Sequence, residues 1–305
     1  MVRFQKTSGA RQALIIGTRG SKLALAQAEI ARQRLVRAVP DLAIECRVIA
    51  TSGDRDQRST LSDIGGKGVF IRELEQALLD KTIDIAVHSF KDVTANLAAG
   101  LRLSSFFRPE SVCDALALKK GLILEALPKG GRIGTGSMRR KVLLGRIRPD
   151  LVITDIRGNI DTRLRKLDDG QFEGIMLSEA GLIRLKLGDR ISHRFNPEKF
   201  YPAPGQGVIT LETRADDNAA HALCLQAGDE DQRIKSEAEF ALLRAVGFDC
   251  RAPLGVHTVL SGSTLTMKGF IVKSAGGEFT ERAVTGPAAE PSRAGTDLGM
   301  AFLAA

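Results

Sequence analysis

The chain has 305 residues, 43% of them hydrophobic and 26% charged, an ordinary globular composition that excludes a disordered or fibrous protein. Its length suits two or three compact domains. The formal net charge of +8 favours acidic partners. Because the chain has no Trp, a single Tyr and no helix-turn-helix, zinc-finger or ribonucleoprotein motif, small anions are favoured over nucleic acid.

No apolar run approaches the roughly 20 residues that a membrane-spanning helix needs. Residues 1–11 are polar, unlike a signal peptide, so the sequence predicts a cytoplasmic protein without membrane contact. In a reducing compartment Cys46, Cys113, Cys224 and Cys250 are expected to be free thiols, and no closely spaced Cys and His residues predict a metal site.

The first third of the chain alternates predicted strands and helices. The strands are predicted at residues 14–17, 44–50 and 83–87. The first leads through a tight turn into a helix with Ser21 as its N-cap. A second helix follows Gly65 to Gly68, and the third strand ends at the segment His88 to Asp92.

The same unit recurs in the second third. Strands are predicted at residues 132–134, 152–156 and 174–177, each followed by a helix. The turn from Ala203 to Gly207 then precedes a strand at 208–211, which we expect to return to the first sheet. Beyond a helix at 234–246, three β-like segments at 256–260, 264–272 and 279–284 and a terminal helix from Ser292 predict a small α+β unit.

Alternating strands and helices predict parallel, doubly wound sheets in an α/β fold. We expect three domains. The first is α/β and comprises residues 11–107 plus 208–225, and it carries the Asp side of a cleft. The second is α/β, comprises 113–201 and carries an arginine-rich side. The third is α+β and comprises 230–305.

Basic and hydroxyl side chains recur where predicted strands meet helices. The clusters are Arg19 with Ser21, Lys91 with Asp92, Thr135 with Ser137, Arg139 and Arg140, and Arg157 with Arg163. Helix N-termini and arginine forks bind carboxylates and phosphates, so the set predicts an anion-binding cleft. The alternative is a solvated basic surface, which any single position would fit equally well.

Asp92 and Cys250 are the residues with the most reactive settings. Cationic neighbours favour the ionised form of Asp92. Its role could be structural, as a counter-ion or a helix cap, or functional, as the group that stabilises a positive charge on a substrate. Cys250 follows Gly247 in a turn beside Arg251, a setting that favours a nucleophilic thiolate, although an inert thiol fits equally well. The other three cysteines are interpreted as buried small hydrophobes.

Ordered motifs across residues 14–260 resemble the porphobilinogen deaminase family. These motifs are Thr18 to Ser21, Gly65 to Gly68, His88 to Asp92, Gly134 to Arg140, Arg157 to Asn159, Ala180 to Arg184, Pro202 to Gly207 and the turn of Cys250. The chain departs from the family pattern at Lys22, Asp63, Thr94, Gly136, Asp161 and Phe248-Asp249.

The resemblance implies two domains like a periplasmic-binding-protein pair facing a cleft, with a third small α+β domain that carries Cys250. It implies that Cys250 holds a dipyrromethane cofactor, one per chain, through a thioether. Four porphobilinogen molecules would then join head to tail with loss of ammonia, before water releases hydroxymethylbilane. This is a transferase reaction of tetrapyrrole biosynthesis, and the family suggests a monomer.

The resemblance also implies roles for individual residues. Asp92 would be the catalytic residue, stabilising cationic intermediates and assisting proton transfer. The residues expected to bind cofactor or substrate carboxylates are Arg19, Ser21, Lys67, Ser89, Lys91, Thr135, Ser137, Arg139, Arg140, Arg157, Arg163, Arg184 and Gln206.

Two other function classes remain open from the residues alone. One is a non-catalytic anion-binding protein of the same architecture, which would release no ammonia from porphobilinogen. The other is a nucleic-acid-binding protein that uses the +8 charge, whose binding would weaken steeply with salt.

Overall fold

The structure is a computed structural model of the whole chain, and it describes residues 13–40, 42–50, 71–247, 253–273 and 277–304. The strands are β1 (Leu14–Thr18), β2 (Ile44–Val48), β3 (Ile85–Ser89), β4 (Leu101–Phe107), β5 (Asp114–Leu118), β6 (Arg132–Gly134), β7 (Val152–Thr154), β8 (Gly174–Ser178), β9 (His193–Arg194), β10 (Ile209–Arg214), β11 (Leu254–Ser261), β12 (Thr264–Val272) and β13 (Phe279–Pro287).

The helices within these ranges alternate with the strands. They are α1 (Lys22–Ala38), α2 (Arg72–Leu79), α3 (Met138–Ile147), α4 (Ile160–Asp168), α5 (Glu179–Arg184), α6 (Asn218–Ala227), α7 (Glu230–Ala245) and α8 (Pro291–Leu303). One-turn 3₁₀ helices lie at Phe90–Asp92 and Gly188–Arg190. No helix in the described part of the chain is long and apolar enough to cross a membrane.

The first sheet has five strands in the order β2-β1-β3-β10-β4. β1 is parallel to β2 and β3, whereas β10 is antiparallel to both β3 and β4. A buried apolar cluster that includes Ile16, Leu35 and Leu211 fills the space between this sheet and the helices on it. The return of β10 to the first sheet is confirmed, and this strand makes the sheet mixed rather than wholly parallel.

The second sheet repeats the pattern in the order β7-β6-β8-β5-β9. β6 is parallel to β7 and β8, and β5 is antiparallel to β8 and β9. Apolar clusters cover both faces, one around Leu116, Ile133 and Met176 and the other around Ile175 and Leu177. Both five-stranded sheets are therefore layered α/β units, as predicted.

The third sheet is the antiparallel meander β11-β12-β13. Helices α7 and α8 pack against it around a core that includes Leu242, Met267 and Phe302. This confirms the small α+β unit predicted for the C-terminal part of the chain.

The chain passes between the first two sheets twice, from β4 to β5 and from β9 to β10. Neither β4 nor β5 is among the strands predicted from the sequence, although the first of the two passages runs between them. A second correction concerns Cys46, which was predicted to be buried. It lies on the edge strand β2 and is exposed, while Cys113 is half-buried and Cys224 is buried.

Candidate active site

A cleft of about 480 Å³ lies between the first and second sheets. It is at the carboxyl ends of the parallel strands, where ligands bind in open α/β sheets. Nine of the residues predicted to form the site line it: Arg19, Ser21, Ser89, Lys91, Asp92, Ser137, Arg140, Arg157 and Arg163. The predicted anion-binding cleft therefore gathers residues from strand ends that are far apart in the sequence.

The first wall begins at the junction of β1 and α1. Ser21 is the N-cap of α1, and its hydroxyl accepts a hydrogen bond from the backbone N–H of Ala24 at 3.3 Å. This cap fixes the turn that presents Arg19 to the cleft. At the end of β3, Ser89 exchanges hydrogen bonds with Gln27, whose amide nitrogen lies 2.9 Å from the hydroxyl.

The 3₁₀ turn after β3 carries Lys91 and Asp92 into the cleft. Gly205 packs on this turn so closely that a Cβ atom there would lie 2.9 Å from the Lys91 backbone nitrogen. Its φ of +73° is in the region that favours glycine. The Gly205 N–H also donates to the Glu239 carboxylate of α7 at 2.6 Å, which ties the turn to the third unit.

Lys91 is exposed to the solvent in the cleft, yet protein surrounds it. Desolvation by these walls lowers the pKa of its ammonium, and Asp92 opposes this by favouring the charged form. The neighbouring cations on the second wall, among them Arg140, lower it further. Lys91 and Asp92 therefore form a charged pair in direct reach of a ligand.

The second wall starts at Ser137, the N-cap of α3, which accepts a hydrogen bond from the Arg140 N–H at 3.4 Å. Arg140 and Arg139 are both buried and both bind Asp114 on β5. Asp114 accepts from Arg139 at 2.6 and 3.0 Å and from the Arg140 Nε at 2.7 Å. One carboxylate therefore fixes two guanidinium groups.

The electrostatic environment of Asp114 is dominated by these contacts. Burial alone would raise the pKa of its carboxyl, but the two guanidinium groups outweigh it and lower the pKa to about 2. Asp114 was not identified from the sequence. The available signal was an Asp directly before the apolar run Ala115 to Leu118, which marks the start of a buried strand.

Arg157 and Arg163 form the remaining basic part of the second wall. Arg163 donates from Nε to the Gly158 carbonyl at 2.7 Å. Its pKa is lowered to about 10, first by desolvation and then by the charges of Arg140 and Arg157. An anionic ligand would relieve this repulsion, so the cluster is arranged to receive negative charge.

Four predicted residues do not line the cleft. Thr135 is buried in the turn before α3, and its hydroxyl accepts from the Ser137 N–H. Arg139 is engaged by Asp114, the Tyr201 carbonyl and Gln206. These two, with Gln206, support the wall from behind.

Arg184 is the fourth. It donates to Glu110 at 2.6 Å and to the Gly207 carbonyl, one in each passage between the sheets. Lys67 and Cys250 lie outside the described residues.

The cleft also contains carboxylates and a lysine that were not predicted to bind ligand. Asp155 lines the second wall and pairs with Lys141 at 3.1 Å. Asp161 on α4 lies 3.6 Å from Lys22 on α1, so this ion pair spans the two walls. Among the described residues, no group of three His, Cys, Asp or Glu side chains could hold a metal ion.

The donor set fits a compact ligand with several carboxylates. Five cationic residues of the predicted set line the cleft, and two serine N-caps add the free N–H groups of α1 and α3. The chemistry of these donors suits a dipyrromethane, whose pyrrole rings each carry carboxylate side chains.

Two family models match the chain. One is described as "Porphobilinogen deaminase, dipyromethane cofactor binding domain" and matches residues 14–222; the other, "Porphobilinogen deaminase, C-terminal domain", matches residues 234–304. The chain belongs to the porphobilinogen deaminase family. The family model that covers residues 14–222 is that of the dipyrromethane cofactor binding domain, so dipyrromethane is the cofactor of this family.

Three curated relatives are named porphobilinogen deaminase, and each aligns with this chain over most of its length. A porphobilinogen deaminase of Syntrophobacter fumaroxidans is 40% identical over 288 residues, which are 94% of this chain and 93% of the relative. One of Sorangium cellulosum is 43% identical over 290 residues, covering 94% and 97%. One of Syntrophotalea carbinolica is 40% identical over 292 residues, covering 96% and 93%.

Solved periplasmic binding proteins show a weaker structural likeness. An arginine-specific protein of Salmonella typhimurium aligns with a TM-score of 0.42 and 15% identity, over 78% of this chain and 100% of its own. A methionine-binding protein aligns with a TM-score of 0.44 and 14% identity, over 75% and 95%. TM-scores this low carry no argument about ligand or function. The fold of this family member is therefore described by the strand orders of its own sheets.

Proposed function

We propose that the cleft is the active site at which this chain acts as a porphobilinogen deaminase, a transferase of tetrapyrrole biosynthesis. Four porphobilinogen molecules are condensed head to tail with release of ammonia, and hydroxymethylbilane is released by hydrolysis. The bound dipyrromethane supplies the primer on which the chain grows. The observation that supports the site most strongly is the Asp92 carboxylate within a cleft lined by Arg19, Lys91, Arg140 and Arg157.

The basic residues hold the carboxylates of substrate and primer. Arg140 is fixed by Asp114, so its fork is positioned before a ligand arrives and little side-chain entropy is lost on binding. The charge of Arg157 repels that of Arg163, and an incoming carboxylate would compensate both. Each pyrrole unit adds an acetate and a propionate, and so the growing chain needs several cations in one cleft.

Asp92 stabilises positive charge. When ammonia leaves the aminomethyl group of the substrate, the remaining pyrrole is cationic, and a fixed carboxylate nearby lowers the barrier. The 3₁₀ turn carries Asp92 into the cleft, and Gly205 packs closely against that turn. Asp92 therefore needs no rearrangement to face the developing charge.

Several further assignments stay predictions. Cys250 is proposed to hold the primer through a thioether, and Lys67, Thr135, Arg139, Arg184 and Gln206 to act with the carboxylate-binding set. The division into residues 11–107 plus 208–225, 113–201 and 230–305 is supported by the three separate sheets, although Phe270 and Val272 of β12 share an apolar cluster with the second unit. A monomeric state, a cytoplasmic location and the absence of nucleic-acid or membrane contacts are likewise predictions.

The role of Asp92 is tested with Asp92→Asn, which keeps the shape of the side chain and removes its charge. We expect kcat for ammonia release from porphobilinogen to fall at least about 100-fold. Asp168→Asn is the matched control, because Asp168 is exposed and pairs with Arg190 outside the cleft. Near-normal turnover of Asp92→Asn would remove it from catalysis, and wild-type protein that releases no ammonia would overturn the proposed function.

The role of Cys250 is tested by the intact mass of the denatured protein. We expect the wild type to carry a covalent adduct of dipyrromethane mass and Cys250→Ser to lack it. Cys46→Ser is the control, because Cys46 is an exposed thiol that should play no part. An unmodified wild-type holoenzyme, or an adduct that persists in Cys250→Ser, would contradict this assignment.

A further inference from the structure

A buried imidazole and a buried carboxylate form a pair at the floor of the cleft. His88 Nε2 on β3 lies 2.9 Å from Glu212 Oε2 on β10. The two side chains are only 4% and 1% exposed, yet His88 is among the residues that line the cleft. The pair therefore connects the ligand-binding space with the interior of the first sheet.

Both members of the pair have bonding capacity left over. Glu212 Oε1 is buried, and no hydrogen-bond partner for it is found in the part of the chain that the structure describes. Among the described residues none forms a hydrogen bond with His88 Nδ1, so one ring nitrogen faces the carboxylate and the other is available. A buried carboxylate with a single hydrogen bond costs folding free energy, and a positive charge on the adjacent imidazole would recover part of it.

Other charged groups surround the pair from each side. Glu75 on α2 approaches from below, and its pKa is raised by burial and by Glu212, whereas the Ala98 N–H and His88 lower it. On the cleft side, the charged residues that line the same space as His88 include Lys91 and Asp92 of the first wall and Arg140 of the second. Glu212 and Glu75 therefore place two carboxyl groups on the interior side of the imidazole.

We propose that His88, oriented by Glu212, is a further catalytic residue that accepts the proton lost at each coupling step. The inference rests on the proposed function. In the coupling, the C–N bond of the protonated aminomethyl group breaks and neutral ammonia leaves with the bonding electron pair, so the methylene carbon becomes electron-deficient. A C–C bond forms between that methylene and the free α-carbon of the terminal pyrrole of the growing chain, and the hydrogen of this carbon leaves as a proton to His88 Nδ1.

The arrangement divides the chemistry between two carboxylates. Asp92, in the open cleft, stabilises the cation that ammonia leaves behind. Glu212, in the interior, stabilises the imidazolium that forms when His88 takes the proton, as a buried carboxylate does beside a histidine base. The proton is then passed to the solvent that enters the cleft, and His88 returns to its neutral form.

The first test uses His88→Gln with porphobilinogen that carries deuterium at its free α-carbon. We expect kcat to fall about 100-fold with KM little changed. Proton removal should then limit turnover, so a primary deuterium isotope effect on kcat appears in the variant and is absent from the wild type. A purely structural role would lower kcat without creating an isotope effect.

His221→Gln is the matched control. His221 on α6 bonds through Nδ1 to the Ser104 hydroxyl at 2.9 Å, away from the cleft, and should keep wild-type turnover and isotope effect. If His88→Gln has wild-type kcat, or a lower kcat without an isotope effect, the inference is wrong. If the wild type itself releases no ammonia, the proposed function fails first, so the two failures are distinguishable.

A second measurement keeps the inference testable if His88→Gln does not fold. Nitrogen NMR of the wild-type protein at neutral pH reports which ring nitrogen of His88 carries a proton. We expect Nε2 to be protonated toward Glu212, and Nδ1 to be unprotonated. Glu212→Gln should weaken this preference and lower kcat. A neutral ring protonated on Nδ1, or unchanged kcat in Glu212→Gln, would overturn the proposal.

Discussion

Asp114 on β5 is the buried carboxylate that pairs with two arginine side chains of the second wall. It is fully buried and contacts both Arg139 and Arg140. Arg140 reaches the cleft, while Arg139 bonds to the Tyr201 carbonyl, so the carboxylate links ligand binding to the packing of the wall. Removing it would leave two buried guanidinium groups without their counter-charge.

Replacing this residue should therefore cost stability as well as activity. We expect Asp114→Asn to lower the free energy of unfolding by about 3–5 kcal/mol, because breaking a buried ion pair leaves uncompensated charge. Denaturant unfolding at neutral pH measures this. Asp150→Asn is the control, since Asp150 pairs with Arg148 at the surface and should change stability much less. Equal losses in the two variants would contradict the prediction.

The ion pairs of Asp114 should also make the stability of the protein depend on pH. The folded pKa of Asp114 lies below its ordinary value of 3.8, at about 2. A carboxyl with a lowered folded pKa contributes stability that is complete above the unfolded value and is lost as the pH falls through the folded one. The stability difference between wild type and Asp114→Asn should shrink over this acidic window and stay constant near neutrality. A difference that is independent of pH would argue against the ion pair.

At this scale, the sequence predicts which residue types gather but not how they pair. Arg140 and Arg163 line the cleft as predicted, because strand ends and helix N-termini meet there regardless of detail. Arg184 and Gln206 are turned away from it, toward Glu110 and Val112. Those partners lie 74 and 94 positions away in the sequence, and no local pattern identifies them.

Among the elements, the 3₁₀ turn of Phe90–Asp92 packs against Gly205, which lies in the second passage between the sheets. Gly205 adopts a φ of +73° and lies against Phe90 and Lys91. A methyl group at Gly205 would approach the Phe90 ring at 2.6 Å and the Lys91 nitrogen at 2.9 Å. The turn that presents Asp92 therefore has no room for a side chain behind it.

Gly205→Ala should displace this turn. We expect a loss of stability of about 2 kcal/mol or more, from backbone strain and overpacking, together with a fall in kcat because Asp92 moves. Gly262→Ala is the control: its φ of +57° also favours glycine, but a Cβ atom there meets nothing within 4 Å. It should cost about 1 kcal/mol and leave kcat unchanged. Unchanged kcat in Gly205→Ala would contradict the role given to this contact.

The predicted elements match the structure where hydrophobic period and capping agree. Ser21 caps α1, and the three strands of the C-terminal unit lie within a few residues of their predicted bounds. The sequence did not predict β4 and β5, because both strands pair with strands that are distant in the sequence. In the described part of the chain, β4 bonds only to β10, more than a hundred residues later. A strand without local turn signals is hard to recognise in one sequence.

The whole chain has a net charge of +8, and the cleft between the sheets is itself basic, because six Arg and Lys residues line it against three Asp residues. The exposed ion pair of Lys22 and Asp161 spans its mouth at 3.6 Å. A carboxylate of the proposed substrate would compete with Asp161 for Lys22, so we expect Asp161 to oppose the binding of anions.

Asp161→Asn should therefore strengthen substrate binding modestly. We expect KM for porphobilinogen to fall about twofold at low salt, the size of effect usual for exposed charges, and the difference to vanish at high salt because of screening. Steady-state kinetics at two ionic strengths measure both. Asp189→Asn, in the exposed 3₁₀ turn at Gly188–Arg190, is the control and should behave as wild type. A raised KM would show that closure of the cleft by this pair matters more than competition.

The position of β10 between β3 and β4 also orders events during synthesis. All strands of the second sheet lie within residues 114–194, and so a nascent chain can complete that sheet as soon as they emerge from the ribosome. The first sheet must wait for residues 209–214, although its other strands were made first. Until then β4 has no partner on the β3 side. The N-terminal part of the chain therefore finishes folding after the part that follows it, with an open strand edge exposed to aggregation in the interval.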